Sequence, residues 1–239
     1  MAKTKTIENL FNYLAFFSDL LPVVIFLAYL KTIRKERAIW VIISYLLFDF
    51  LINLALLEFI PPRFHNKTYP IATFFESLFF AYFFYLILKK KSLKRLVAIA
   101  SVLLALTSLV YYFYNYYYAY TVLRRTIHLD SVPIAIETIA IFLFSFFYFF
   151  EQINDTENLF IYNKPSFWSV LGILLYLAGS FFVYISANSI SIQQLQQYWV
   201  ITNISSFLKN VFFVIAIVLT VNQTLKKKTL KKHPSYTLN

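Results

Sequence analysis

Residues Lys31–Ile60 read KTIRKERAIWVIISYLLFDFLINLALLEFI. The first seven hold five charged side chains, Lys31, Arg34, Lys35, Glu36 and Arg37, and the following stretch is apolar apart from Ser44, Asp49, Asn53 and Glu58. A helix needs about 20 apolar residues to cross a hydrocarbon core about 30 Å thick. Ala38–Ile60 therefore reads as one membrane crossing, with a charge run at its entrance.

Six further stretches read in the same way: Leu10–Leu30, Tyr69–Leu88, Leu96–Tyr116, Ser131–Phe150, Phe167–Ala187 and Tyr198–Asn222. The predicted fold is all-α, a seven-transmembrane-helix bundle over residues 1–225, with 226–239 a basic tail. Its breaks are the charge runs Lys31–Arg37 and Lys89–Arg95, the prolines Pro61, Pro62 and Pro133, and the polar loop Ser186–Gln197. No connection is long enough to bury a soluble core. The first stretch is a full-length span followed by charge, so it reads as a retained helix and not as a cleaved leader.

Composition agrees. Of 239 residues, 60% are hydrophobic and 14% charged, whereas soluble domains carry about 25% charged residues. Aromatics make up 21%, and with only 2 Gly the spaces between helices are expected to be filled by side-chain bulk, with little room for glycine-zipper crossings. The absence of Cys excludes disulfides and thiolate chemistry.

The formal charge of +11 points to orientation and not to nucleic acid, because the Lys and Arg fall in short runs between apolar stretches. With the N-terminus outside and the C-terminus cytoplasmic, the inner side holds Lys31, Arg34, Lys35, Arg37, Lys89, Lys90, Lys91, Lys94, Arg95, Lys164, Lys226, Lys227, Lys228, Lys231 and Lys232. The outer side holds only Lys3, Lys5, Arg63, Lys67, Arg124 and Arg125. The run Lys226, Lys227, Lys228, Lys231 and Lys232 is expected to meet anionic lipid headgroups. Tyrosines from Tyr111 to Tyr120 suit the outer interface, either as an anchor or as the lining of an outward pocket.

Ionisable groups inside spans are costly and usually face the bundle interior or a water-filled cavity. There are five here: Asp19, Asp49, Glu76, Glu137 and Lys209. They are expected to converge on an outward-opening polar cavity that binds a ligand or a proton. The third and fifth spans open alike, with Pro70-Ile71-Ala72 before Glu76-Ser77 and Pro133-Ile134-Ala135 before Glu137-Thr138; carboxylates near a helix start are also favoured by the dipole. On the last span, Thr202, Asn203, Ser206, Lys209 and Asn210 recur at helical spacing and share a face. Lys209 lies too deep to snorkel and must find an acid; Glu76 is the expected partner and Asp49 the alternative. The segment with Glu151, Asp155 and Glu157, flanked by Phe160, Ile161 and Tyr162, is the inner connection that offers a partner both charge and apolar surface.

His65, His128 and His233 all fall outside the spans, so no intramembrane His cluster holds a metal. No phosphate loop, Ser-His-Asp set or haem pair is present either, and no cofactor is expected. Asn66-Lys67-Thr68 matches a glycosylation sequon.

Phe160-Ile161-Tyr162, Phe167-Trp168-Ser169-Val170, Tyr176-Leu177-Ala178-Gly179-Ser180-Phe181-Phe182 and Tyr198-Trp199 together resemble a family of bacterial multi-span membrane proteins of unassigned activity. That resemblance implies a bacterial inner membrane and no functional residue. Seven spans and Lys209 in the last one are similar to the retinal-binding opsins. However, Ser205 stands where an acid would precede the lysine, and Glu76 lacks the surrounding Arg, Trp and Asp pattern. The leading expectation is a receptor or sensor-like module reporting to a separate cytoplasmic signalling protein. A proton- or ion-coupled secondary transporter comes second, and a lipid-modifying enzyme using the carboxylates as acid and base third.

Overall fold

The computed structural model describes residues 13–114, 131–155, 160–186 and 192–232, without the side chains of 62–67, 131, 192, 193, 196 and 230–232. Among the described residues there are helices and no strands. They are α1 Tyr13–Ala28, α2 Leu30–Ile33, α3 Arg37–Glu58, α4 Pro62–Ile87, α5 Lys91–Phe113, α6 Ser131–Ile153, α7 Pro165–Ser186 and α8 Ile192–Lys232. Six of these, α3 to α8, are long and apolar enough to cross a bilayer, which marks the chain as an integral membrane protein. The seventh expected span falls on α1, whose helix is shorter within the described residues.

Helix starts follow local chemistry. Pro62 and Pro165 are the first residues of α4 and α7, where a missing N–H costs nothing. The connection expected before Tyr69 is therefore already helical, and Pro133 is tolerated within the first turn of α6 instead of ending a helix. Trp40 and Trp168 each sit on the first turn of a helix and donate Nε1 to a carbonyl six residues back, Arg34 at 2.9 Å and Tyr162 at 2.8 Å. Both indoles thereby staple the preceding turn. α8 continues through Lys226–Lys228 to Lys232, 41 residues in all. At about 1.5 Å per residue that is about 60 Å, twice the hydrocarbon thickness, so the first part of the expected tail is a projecting helix.

The helices pack in the cyclic order α1, α3, α4, α6, α7, α8, with α5 outside against α4 and α6. Only 11% of the apolar window of α5 is buried, against 33–44% for the other spans, so α5 presents most of its surface to lipid. The core is aromatic and aliphatic: Phe26, Leu46, Phe83, Phe84, Phe144 and Phe213 are among its fully buried members.

The α7–α8 crossing departs from the expected bulk packing. A Cβ on Gly179 would lie 1.8 Å from Ser205 Oγ and 2.7 Å from its Cβ, and one on Gly172 would lie 3.0 Å from Phe212 Cβ and 3.1 Å from the Lys209 carbonyl. Both glycines of the chain thus serve one close helix contact of the small-residue kind. The low glycine count hid this, because two residues seven apart suffice for a single seam.

At the end of the bundle that carries Lys89, Lys90 and Lys91, a clamp built on the buried Glu151 ties α6 to the starts of α5 and α7. Glu151 accepts from the backbone N–H of Lys89 at 2.7 Å and of Lys90 at 2.6 Å, which caps the start of α5 from α6. Asp155 pairs with Lys89 at 2.8 Å and with Lys164 at 2.9 Å, while Lys164 also donates to Gln152. The acids expected to offer charge to a partner are therefore engaged by the chain's own lysines and amides; Glu157 lies outside the described residues. Lys89 and Lys164 hold the Asp155 carboxyl well below the usual carboxylate range. Because the folded value is the lower one, the contribution is complete above the unfolded value of about 4 and is lost as the pH falls through the folded value. Asp155→Asn is expected to lower the melting temperature near neutral pH, and the gap from the native chain should close only in strong acid. A gap that is already zero near neutral pH would show that the clamp contributes nothing.

Candidate functional site

Lys209 sits in the middle of α8 with none of its surface exposed. Its Nζ donates to the Tyr45 hydroxyl of α3 at 2.7 Å, and that hydroxyl donates to Glu76 Oε1 of α4 at 2.9 Å. Asp49, one turn beyond Tyr45 on α3, brings Oδ2 to 3.7 Å from the same Nζ and accepts from Asn53 at 3.1 Å through Oδ1. The ammonium also lies over two rings, 4.6 Å from the centroid of Tyr45 and 4.4 Å from that of Tyr176 on α7. A buried cation is tolerable only with such compensation.

The direct ion partner is therefore Asp49, and the expected pairing with Glu76 is replaced by one through Tyr45. The physical reason is reach. Tyr45 occupies the space between α8 and α4, and its hydroxyl satisfies both charged groups at once.

Next to Lys209, Asn210 donates Nδ2 to Asp19 Oδ1 and to Ser18 Oγ, both at 2.7 Å. Asp19 lies where a turn interrupts α1. Pro22 explains the interruption, since it has no N–H for the Ser18 carbonyl and its ring crowds that carbonyl. Asp19, at 2% exposure, is thus held in the interior against α8.

Glu137 on α6 is 3% exposed, and its Oε1 has no hydrogen-bond partner among the described residues; the same holds for Thr202 Oγ1 and Asn210 Oδ1. Asn203 and Ser206 are half-buried on α8, two turns and one turn before Asn210. Of the residues singled out in the sequence, Asp19, Asp49, Glu76, Lys209 and Asn210 are joined with Tyr45, Ser18 and Asn53 into two adjoining networks that meet at Lys209–Asn210. Tyr45 and Tyr176 were not singled out. Tyr45 was findable, because it precedes Asp49 by one helical turn; Tyr176 had no distinguishing signal among 19 tyrosines.

Lys209, Asn210, Asp19 and Glu137 are buried, whereas Glu76 and Asp49 are half-buried, the Asp49 side chain at 28% exposure. One ammonium faces several carboxylates, so the cluster carries excess negative charge unless it also holds protons. Among the described residues no group of His, Cys, Asp and Glu is arranged to hold a metal ion. A separate surface depression lined by Asn222, Leu225, Lys226 and Thr229 lies at the basic end of α8, several turns from Lys209.

Comparison with protein-family models, with curated proteins and with solved structures gives no match. The aromatic likeness to a bacterial multi-span family is thus carried by no family model.

Proposed function

We propose that the chain is a seven-helix membrane sensor of receptor-like type, N-terminus outside, in which the polar centre around Lys209 responds to a proton or a small ligand. The observation that carries this reading is one ionic network, built around the fully buried Lys209, that is shared by α3, α4 and α8 and continued to α1 through Asn210. Charge arriving at such a centre changes the packing preference of several helices together, which is what a two-state element requires. The output side is the basic end, where Phe160 and Tyr162 are exposed beside the clamp and would meet a separate cytoplasmic protein. Lys226, Lys227, Lys228, Lys231 and Lys232 on the projecting helix suit anionic headgroups of a bacterial inner membrane.

A proton-coupled secondary transporter is the second reading. It is favoured by the turn that interrupts α1 at Asp19, because discontinuous helices mark ion sites in transporters.

A thermal-shift screen of the purified protein in nanodiscs, across pH and a metabolite and lipid library, tests the sensor reading, since a ligand bound only by the folded state raises the melting temperature. The expected hits lose their effect in Asp49→Asn. Shifts that persist unchanged there would place binding elsewhere, and uptake of a hit into proteoliposomes under an imposed pH gradient would favour the transporter.

Orientation has its own test, made easy by the absence of native thiols. Gln194 and Ser92 are both exposed. An impermeant maleimide is expected to label Gln194→Cys in intact cells and Ser92→Cys only after lysis. Labelling of Ser92→Cys in intact cells reverses the topology.

A further inference from the structure

The hydrogen bonds around Lys209 have a direction. Lys209 Nζ donates to Tyr45, and Tyr45 donates to Glu76. Asp49, one turn along α3 from Tyr45, brings Oδ2 to 3.7 Å from the same ammonium, and its side chain is 28% exposed. The row Asp49, Lys209, Tyr45, Glu76 therefore joins two half-buried acids through two buried groups, of which the Tyr45 hydroxyl can both give and take a proton and Lys209 can take one once it has given one.

We propose that this row is a proton relay, that its ligand is the hydrogen ion, and that Tyr45 is the residue that couples α8 to α4 through it. This rests on the proton arm of the function proposed above. The relay balances without any co-reactant. An N–H bond of Lys209 breaks as an O–H bond forms on Tyr45, and the original Tyr45 O–H breaks as one forms on Glu76. Asp49, having gained a proton from water, closes its 3.7 Å gap to Lys209 to hydrogen-bond distance and passes the proton on, which restores the ammonium and the Asp49 carboxylate. One proton enters at Asp49 and one rests on Glu76, while Lys209 and Tyr45 end as they began.

The consequence is mechanical as well as chemical. Once Glu76 is neutral, the Tyr45 hydroxyl no longer bridges two opposite charges, and the attraction of α4 for α8 weakens while the Asp49–Lys209 pair stays. Proton arrival thus acts on one helix of the ring selectively. A lysine paired directly with Glu76 would have no such intermediate, and the two helices would separate or stay together as one ion pair.

Rapid-mixing infrared spectroscopy of the protein in nanodiscs tests this, following the carboxylic-acid C=O stretch after a drop in pH; the Glu76 component is identified by its loss in Glu76→Gln. In the native chain the Glu76 band is expected to rise quickly, and to rise more slowly in D2O. Tyr45→Phe keeps the ring and removes the hydroxyl, and is expected to slow the rise about 100-fold, in the range a positioned proton carrier contributes. Tyr148→Phe is the control, since Tyr148 is equally buried but bonds Ser166 at the other end of the bundle; its rate should equal the native one. A Glu76 band that rises equally fast in Tyr45→Phe overturns the relay and leaves a proton-linked centre intact. No Glu76 band in the native chain at any pH overturns both. If Tyr45→Phe does not fold, the solvent isotope comparison decides on the native chain alone: equal rates in H2O and D2O exclude a relay whose slow step moves protons.

Discussion

Lys209→Met is expected to destabilise the fold by about 3–5 kcal/mol, the range found when one partner of a buried ion pair is removed. Methionine is of similar length and fills the same space, so the loss isolates charge from packing. Three interactions go together: the hydrogen bond to Tyr45 at 2.7 Å, the ion pair with Asp49 at 3.7 Å, and the contacts with the two tyrosine rings. The greater part of the cost lies in what remains. Asp49 loses its cation, and Glu76 keeps only neutral donors in a region with little water. Unfolding by denaturant in mixed micelles measures the difference, and a loss below about 1 kcal/mol, the value of an exposed pair, would mean that Lys209 is solvated and the network is incidental.

Gly179→Ala is expected to cost about 1–3 kcal/mol, as overpacking does, although alanine is the better helix former by roughly 1 kcal/mol. The new methyl would sit 1.8 Å from Ser205 Oγ and 2.7 Å from Ser205 Cβ. Rotating the hydroxyl away relieves the first contact but not the second, since Cβ is fixed to the backbone of α8. The helices must separate. Because Tyr176 of α7 lies over the ammonium carried by α8, that separation reaches the polar centre. Ser205→Gly removes both clashing atoms, leaving the Ile201 carbonyl at 3.8 Å as the nearest remaining neighbour. The double variant is therefore expected to recover most of the loss, and failure of Ser205→Gly to rescue Gly179→Ala would show that the crossing is not limited by this contact.

Much of the architecture is legible in the chain because bilayer thickness acts directly on sequence: it demands runs of about 20 apolar residues and penalises every charge within them. The same penalty made Asp19, Asp49, Glu76, Glu137 and Lys209 conspicuous; four helices bring Asp19, Asp49, Glu76 and Lys209 together, while Glu137 on α6 is buried with Oε1 unpartnered among the described residues. Which acid meets the lysine was not legible. Depth along each helix ranks the acids, but rotation of α3 about its axis decides whether the face carrying both Tyr45 and Asp49 meets Lys209, and neutral residues set that rotation through packing. The close α7–α8 seam was hidden for the opposite reason: composition averages over the chain, whereas a seam needs small residues only at Gly172 and Gly179. The Glu151 clamp was misread because a carboxylate in a connection looks solvated in one dimension, and its partners, the amides of Lys89 and Lys90, are more than sixty positions away.

A double-mutant cycle of Lys209→Met with Asp49→Asn measures the ionic centre itself, with Lys209→Met and Glu76→Gln as its companion. Groups in direct contact couple by about 0.5–3 kcal/mol, whereas independent sites add within about 0.5 kcal/mol. The first cycle should give about 2 kcal/mol or more, and the companion a smaller coupling that disappears in a Tyr45→Phe background, because Tyr45 carries it. Additive losses in the first cycle would contradict an ionic centre built on Lys209, and a Glu76 coupling that survives without the Tyr45 hydroxyl would return Glu76 to the place of direct partner.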